Sequence, residues 1–243
     1  HENAISAAAR YGYIPGLDGL RAIAVLSVLV AHFGRSHIVP GGFGVTVFFF
    51  ISGFLITRLL IAESEKKGGV GLKDFYVRRA IRLFPALIGM TFVTTAIHMG
   101  MGFGAPTGTE FAAAYLYITN YYQIAELSAG AAPYMSWTPL WSLAVEEHFY
   151  LLFPALLVLT GLNWRRLTTV LLALIVIVPI WRLAVSLIWP ETAELYTYMA
   201  TDARIDSIAY GCLFSLGLHQ LRDPARLRVL IGWIPAGLAV LAL

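Results

Sequence analysis

Seven apolar runs of about 20 residues, each long enough to cross a bilayer as a helix, recur near residues 20–37, 43–62, 83–104, 141–162, 167–189, 203–221 and 227–243. A helix satisfies its own backbone hydrogen bonds in lipid, so such a chain is expected to be all-α, a polytopic transmembrane helical bundle. Hydrophobic residues make up 58% of the 243 residues and charged ones 13%, with a mean hydropathy of +0.73. These values exclude an ordinary soluble domain. The segment FAAAYLYITNYYQIA, residues 111–125, is an eighth, less regular candidate. The single cysteine, Cys212, excludes an internal disulfide. No basic arm points to nucleic acid.

Charge distribution orients the spans. The link between the second and third runs carries Lys66, Lys67, Lys73, Arg78, Arg79 and Arg82, whereas Arg35 is the one Lys or Arg in the link before it. Positive charge collects on the cytoplasmic side, so the N-terminus is expected in the cytoplasm. Arg165 with Arg166, and Arg222, Arg226 and Arg228, mark two later links as cytoplasmic. Residues 105–140 must then cross zero or two times, and 111–125 is expected to be re-entrant or interfacial. The chain opens on His1 and stops in the apolar LRVLIGWIPAGLAVLAL. It therefore reads as a fragment of one transmembrane domain over 1–243, incomplete at its C-terminus.

Ionisable residues inside apolar runs point to function. Arg21 and His32 are 11 residues apart, three turns plus about 20°, so in a helix they share a face about 16 Å apart. Asp18 lies one turn before Arg21 and is placed to pair with it. Histidine can take the proton of an attacking hydroxyl near neutral pH. The competing reading is a snorkelling arginine and a histidine satisfied by a neighbouring helix. Arg79 and Arg82, spaced by three, offer guanidinium forks suited to a phosphate-bearing cytosolic ligand, with ordinary positive-inside anchoring as the alternative.

In WTPLWSLAVEEHFYLLFP, Ser142, Glu146 and Tyr150 recur every four residues, with Glu147 and His148 turned away from the centre of that face. Adjacent carboxylates in an apolar helix need a cavity, a partner or the headgroup layer. HExxH spacing is absent, so no metal site is expected. In DARIDSIAYG, Arg204 and Asp206 open the sixth run, with Asp206 and Tyr210 on one face; a catalytic or binding role and a structural ion pair with another helix are both open. Arg182 reads as snorkelling, and His98 and His219 carry no assignment.

The segments LDGLRAIAVLSVLVAH, GGFGVTVFFFISGFLIT, RRAIRLFPA and WSLAVEEHFYLLFP, in this order and spacing, resemble the acyltransferase-3 family of bacterial integral-membrane acyltransferases. DARIDSIAYG is similar to that family's later Arg and Asp motif. The resemblance covers roughly residues 13–211. It implies a core of about ten helices that takes an acyl group, usually acetyl, from cytosolic acyl coenzyme A to an extracytoplasmic hydroxyl of O-antigen, peptidoglycan, exopolysaccharide or a related glycoconjugate. The protein would then be an O-acetyltransferase of the bacterial inner membrane, with acetyl coenzyme A as donor substrate and no resident cofactor. Its partners would be that donor, a carbohydrate or glycolipid acceptor and the bilayer.

The family's Arg and His fall on Arg21 and His32, its paired arginines on Arg79 and Arg82, and its glutamate on Glu146 or Glu147. On this reading His32 is the general base or a transient acyl carrier, Arg21 steadies the donor or the oxyanion, and Glu146 orients His32 or the acceptor. Arg79 and Arg82 hold nucleotide phosphates, and Ser52 and Gly53 allow close helix approach around a donor channel. Asp18, Ser142, Tyr150, Arg204 and Asp206 are expected as substrate-contacting or structural polar groups. Many members carry Asp where this chain has Thr46, and Gln is common where it has His148. The alternative class is a proton-coupled transporter or solute channel, which intramembrane His, Glu, Asp and Arg equally suit.

Overall fold

The computed structural model describes residues 15–35, 41–131 and 137–220, and among these the chain is helical with no β-strand. Helix α1 (Pro15–Val30) passes into a π-helical turn, Ala31–Arg35. Then come α2 (Gly41–Lys67), α3 (Leu72–Gly100), α4 (Gly108–Tyr115), α5 (Thr119–Ser128) and α6 (Leu140–Leu159). The order ends with α7 (Trp164–Ile188), α8 (Ala193–Met199) and α9 (Thr201–Gln220). Local chemistry sets many of the boundaries. Pro15 opens α1 at the position where its missing N–H costs nothing. The Thr107 hydroxyl and Glu110 carboxylate form a reciprocal capping box on α4, and the Asn163 side chain accepts the Arg165 and Arg166 N–H groups at the start of α7.

Among the described residues five helical segments are long and apolar enough to cross a membrane: Gly16–Phe33, α2, α3, α6 and α7. They coincide with five of the seven clear runs expected over the whole chain. The 203–221 run does form a helix, α9, but Asp202, Arg204 and Asp206 crowd its first two turns and it does not qualify as an apolar span. The 227–243 run lies outside the described residues. Segment 111–125 divides into α4 and α5, each too short to span. In the other direction, α3 begins eleven residues before the apolar run predicted at 83, because the basic stretch LKDFYVRRAIR is itself helical.

The break between α4 and α5 is a Schellman motif, with Ile118 N–H donating to the Ala113 carbonyl at 2.9 Å and Tyr117 N–H to that of Ala114 at 3.3 Å. The residue at its left-handed position is ordinarily glycine; here it is Tyr117, at φ 57°. A side chain there costs roughly 1–2 kcal/mol.

The described residues fall into two compact units. One contains α1, α2 and α9 from Ser207 onward; the other is Gly69–Asp206. In the first, small residues bring backbones together. A methyl at Gly53 would strike the Ile208 carbonyl, and one at Gly211 the Phe50 carbonyl. Ser52 and Thr57 are buried in the same seam, and the Cys212 thiol donates to the Gly53 carbonyl at 3.4 Å. Such contact is how transmembrane helices gain packing without a hydrophobic driving force between them. Gly211→Val should therefore lower stability by about 3 kcal/mol, the upper range for overpacking. Gly217→Ala, whose added methyl meets nothing within 4 Å, should be neutral or slightly stabilising. Thermal unfolding of both variants in detergent checks the contrast.

The second unit is organised around Leu87, Ala114, Trp137 and Leu140, all buried. The Trp137 indole donates to the Thr94 hydroxyl at 2.9 Å, and the Thr91 and Tyr115 hydroxyls lie 2.7 Å apart. These bonds tie α4 and the start of α6 to α3, so the α4–α5 break carries Tyr117 to the flank of those two long helices.

Candidate active site

Within the second unit a cavity of about 200 Å³ opens between α3, α6 and the turn after α4. Helix α3 contributes Arg79 and Tyr76; helix α6 contributes Glu147, His148 and Tyr150; the turn contributes Tyr117. Glu147, Tyr150 and Leu151 follow the three-and-four spacing of one helical face. The cavity thus takes the face carrying Glu147, and neither Ser142 nor Glu146 is among its lining residues. Ser142 instead donates to the Pro139 carbonyl at 3.0 Å, securing the first turn of α6.

Arg79 and Glu147 form a forked ion pair across 68 residues of sequence. Nη2 donates to Oε1 at 2.7 Å, while Nε reaches Oε1 at 3.0 Å and Oε2 at 3.3 Å. The guanidinium carbon lies 3.3 Å over the centre of the Tyr150 ring, a cation–π contact. The Tyr76 hydroxyl donates to the Leu151 carbonyl at 2.7 Å. Arg79 therefore has its charge matched within the protein. Arg82, one turn further, is exposed and is not a lining residue.

Tyr117 packs edge-on to Phe84 with ring centres 5.9 Å apart. Burial, then the nearby Glu147 carboxylate, raises its phenol pKa above the ordinary range, with Arg79 pulling the other way. The hydroxyl stays protonated and is a donor. His148 on the opposite wall is held by its Nδ1, 2.7 Å from the Thr201 hydroxyl, and its ring stacks on Tyr121 at 6.2 Å. Thr201 in turn accepts from Asn120 Nδ2 at 3.0 Å.

Beside it, the Asp202 carboxylate gathers three donors: the Tyr121 hydroxyl at 2.8 Å, the Trp181 indole at 2.6 Å and the Tyr196 hydroxyl at 2.8 Å. Burial first and Asp202 second raise the pKa of both Tyr121 and Tyr196. Asp206 pairs with Arg182, Nη2 to Oδ2 at 2.8 Å and Nη1 to Oδ1 at 3.2 Å. Arg182 therefore does not snorkel. It is the other half of an ion pair, and it also donates to the Ala203 carbonyl at 2.9 Å. Arg204 directs its guanidinium to the Tyr198 ring at 5.8 Å.

The remaining sequence candidates lie in the first unit. Arg21 faces Asp18 at 3.9 Å. The exposed His32 sits in the π-turn with Nδ1 2.8 Å from the Val28 carbonyl oxygen. A carbonyl only accepts, so Nδ1 is the donor in this bond and Nε2 is the ring nitrogen it leaves over. Thr46, where an aspartate was the family expectation, donates to the Gly42 carbonyl at 2.9 Å. Sequence reasoning missed Tyr117, Asp202 and the role of Arg182. The tyrosine's signal was its place two residues past a helix end, where glycine is usual, which becomes visible only once that end is located.

Residues 14–243 match the family model described as "Acyltransferase domain". Peptidoglycan O-acetyltransferase OatA of Listeria monocytogenes is 33% identical over 211 residues, 82% of this chain and 33% of the relative. O-acetyltransferase OatA of Staphylococcus aureus is 33% identical over 210 residues, 84% of this chain and 34% of the relative. A provisionally named O-acetyltransferase of S. aureus strain COL is 42% identical over 159 residues, 63% of this chain and 26% of the relative. The chain thus spans about a quarter to a third of the length of these curated relatives. No solved structure matches it.

Proposed function

The chain belongs to the acyltransferase-3 family, and from that membership we propose that it is the membrane core of an O-acetyltransferase. It moves an acetyl group from cytosolic acetyl coenzyme A to a carbohydrate hydroxyl on the outer side of the bacterial cytoplasmic membrane, with its N-terminus in the cytoplasm. Peptidoglycan is the first acceptor to test, because the Listeria relative is named for it. The observation that carries the reading is the family match over nearly the whole chain. Its geometry supports this, with an arginine, glutamate, histidine and tyrosine lining a cavity between helices fit to span.

In the transfer, the acceptor hydroxyl oxygen bonds to the acyl carbon and its proton passes to a base. The carbon–sulfur bond breaks, and the departing thiolate takes up a proton. His32, held through Nδ1, is the assigned base, acting through Nε2. Arg21 stabilises negative charge on the acyl oxygen. Arg82, exposed and basic, supplies charge for the donor's phosphates.

The test is transfer of radiolabelled acetyl from acetyl coenzyme A to cell-envelope glycans, in vesicles carrying the complete parent protein. Label in the glycan is the expected result. Absence of label with every acyl donor, across several envelope acceptors, would transfer the assignment to solute or proton transport.

A further inference from the structure

Tyr117 combines three features that a merely structural tyrosine does not need. Its backbone occupies the left-handed position of a Schellman motif, where glycine would relieve the strain. Strain of this kind persists where surrounding structure over-determines it, and it clusters at binding sites. The side chain lines the cavity, and its hydroxyl makes no hydrogen bond to any described residue. By contrast, the Tyr76 hydroxyl is bonded to the Leu151 carbonyl, and Tyr150 lies beneath the Arg79 guanidinium. Tyr117 is therefore a phenol donor directed at whatever enters.

The rest of the lining states what that is. Arg79 and Glu147 cancel each other's charge in the forked pair, so the cavity offers no net cation to a phosphate. Ala80, Leu83, Phe84, Leu116 and Leu151 make much of its wall apolar. At about 200 Å³ it is smaller than the roughly 300–1,000 Å³ that encloses a whole drug-sized ligand. It suits a slim, uncharged chain bearing hydrogen-bond acceptors better than a bulky, highly charged nucleotide.

We propose that Tyr117 is a substrate-binding residue whose hydroxyl donates to a carbonyl oxygen in the uncharged arm of the acyl donor, either its thioester or one of its amides. This rests on the acyl coenzyme A reading above and deepens it by separating the arm from the phosphates, which bind elsewhere. It also reassigns Arg79: the residue shapes a neutral cavity and does not grip phosphate.

The experiment measures equilibrium binding of acetyl coenzyme A and of free coenzyme A to the complete parent protein in nanodiscs, for wild type and Tyr117→Phe, Tyr117→Ala and Tyr117→Gly. Tyr117→Phe should weaken acetyl coenzyme A binding about tenfold, the scale of one net hydrogen bond, at an unchanged melting temperature. A loss confined to acetyl coenzyme A places the bond on the thioester carbonyl; a loss shared by free coenzyme A places it on an amide. Tyr117→Gly should bind as weakly as Tyr117→Ala yet melt at a higher temperature, because glycine alone relieves the left-handed backbone. Wild-type binding with an unaltered Tyr117→Phe affinity overturns this proposal and leaves the acyltransferase reading standing. No binding of either ligand by the wild type overturns both.

Discussion

His32→Ala in the complete parent protein is expected to lower acetyl transfer by about 10²–10⁴-fold, the range for removing a positioned general base, with little change in melting temperature. The side chain is exposed, and its bond within the described residues is the local one to the Val28 carbonyl. That bond fixes the ring through Nδ1, so Nε2 is the atom assigned to the proton transfer. His32→Asn sharpens the test. Its amide nitrogen can still reach the Val28 carbonyl but offers no basic atom, so it should lose as much transfer as alanine. Equal transfer by wild type and both variants would remove His32 from the chemistry.

The second large effect concerns the Arg79–Glu147 pair. Arg79→Ala leaves a carboxylate whose side chain is 13% exposed without its counter-charge, a loss of about 3–5 kcal/mol for a buried pair. The partial exposure of Arg79, 20%, places the expected value near 3 kcal/mol. Glu147→Gln should cost less, because the Tyr150 ring still stacks against the guanidinium and the amide oxygen can accept one of its bonds. Replacing both partners by apolar residues, Arg79→Met with Glu147→Leu, should recover most of the lost stability, since two desolvated charges leave together. Transfer should stay low in that double variant, because the polar lining of the cavity is gone. Thermal unfolding in detergent, measured beside transfer, distinguishes the outcomes. A double variant no more stable than Arg79→Ala would mean that the pair is not what holds α3 to α6 at this level.

Several local contacts were readable in the amino-acid sequence. The pairing of Asp18 with Arg21 follows from spacing of three on one helix, and both residues meet as that rule requires. Ser52 and Gly53 marked a close helix approach, which occurs against Ile208. Parity of charged links argued against a simple crossing by 111–125, but the division of that segment into two short helices at a Schellman motif was not foreseen. On α6 the choice between Glu146 and Glu147 was left open. The four-residue spacing of Ser142, Glu146 and Tyr150 is real, but the wall facing α3 takes Glu147, His148 and Tyr150. Adjacent carboxylates differ by 100° around a helix, and nothing local says which of the two directions will be occupied.

What the amino-acid sequence determined alone is what acts within one helix or one turn. Long apolar runs demanded membrane helices, and the Thr107–Glu110 box set a helix start. The identity of Arg79's partner, 68 residues away, and that of Arg182, 24 residues away, were decided only by tertiary packing. A guanidinium in an apolar helix must find a carboxylate or the interface, but the choice depends on which helix faces it, at what depth and in what rotation. Those three quantities come from side-chain packing between segments distant in sequence and leave no period or spacing for a linear reading to find.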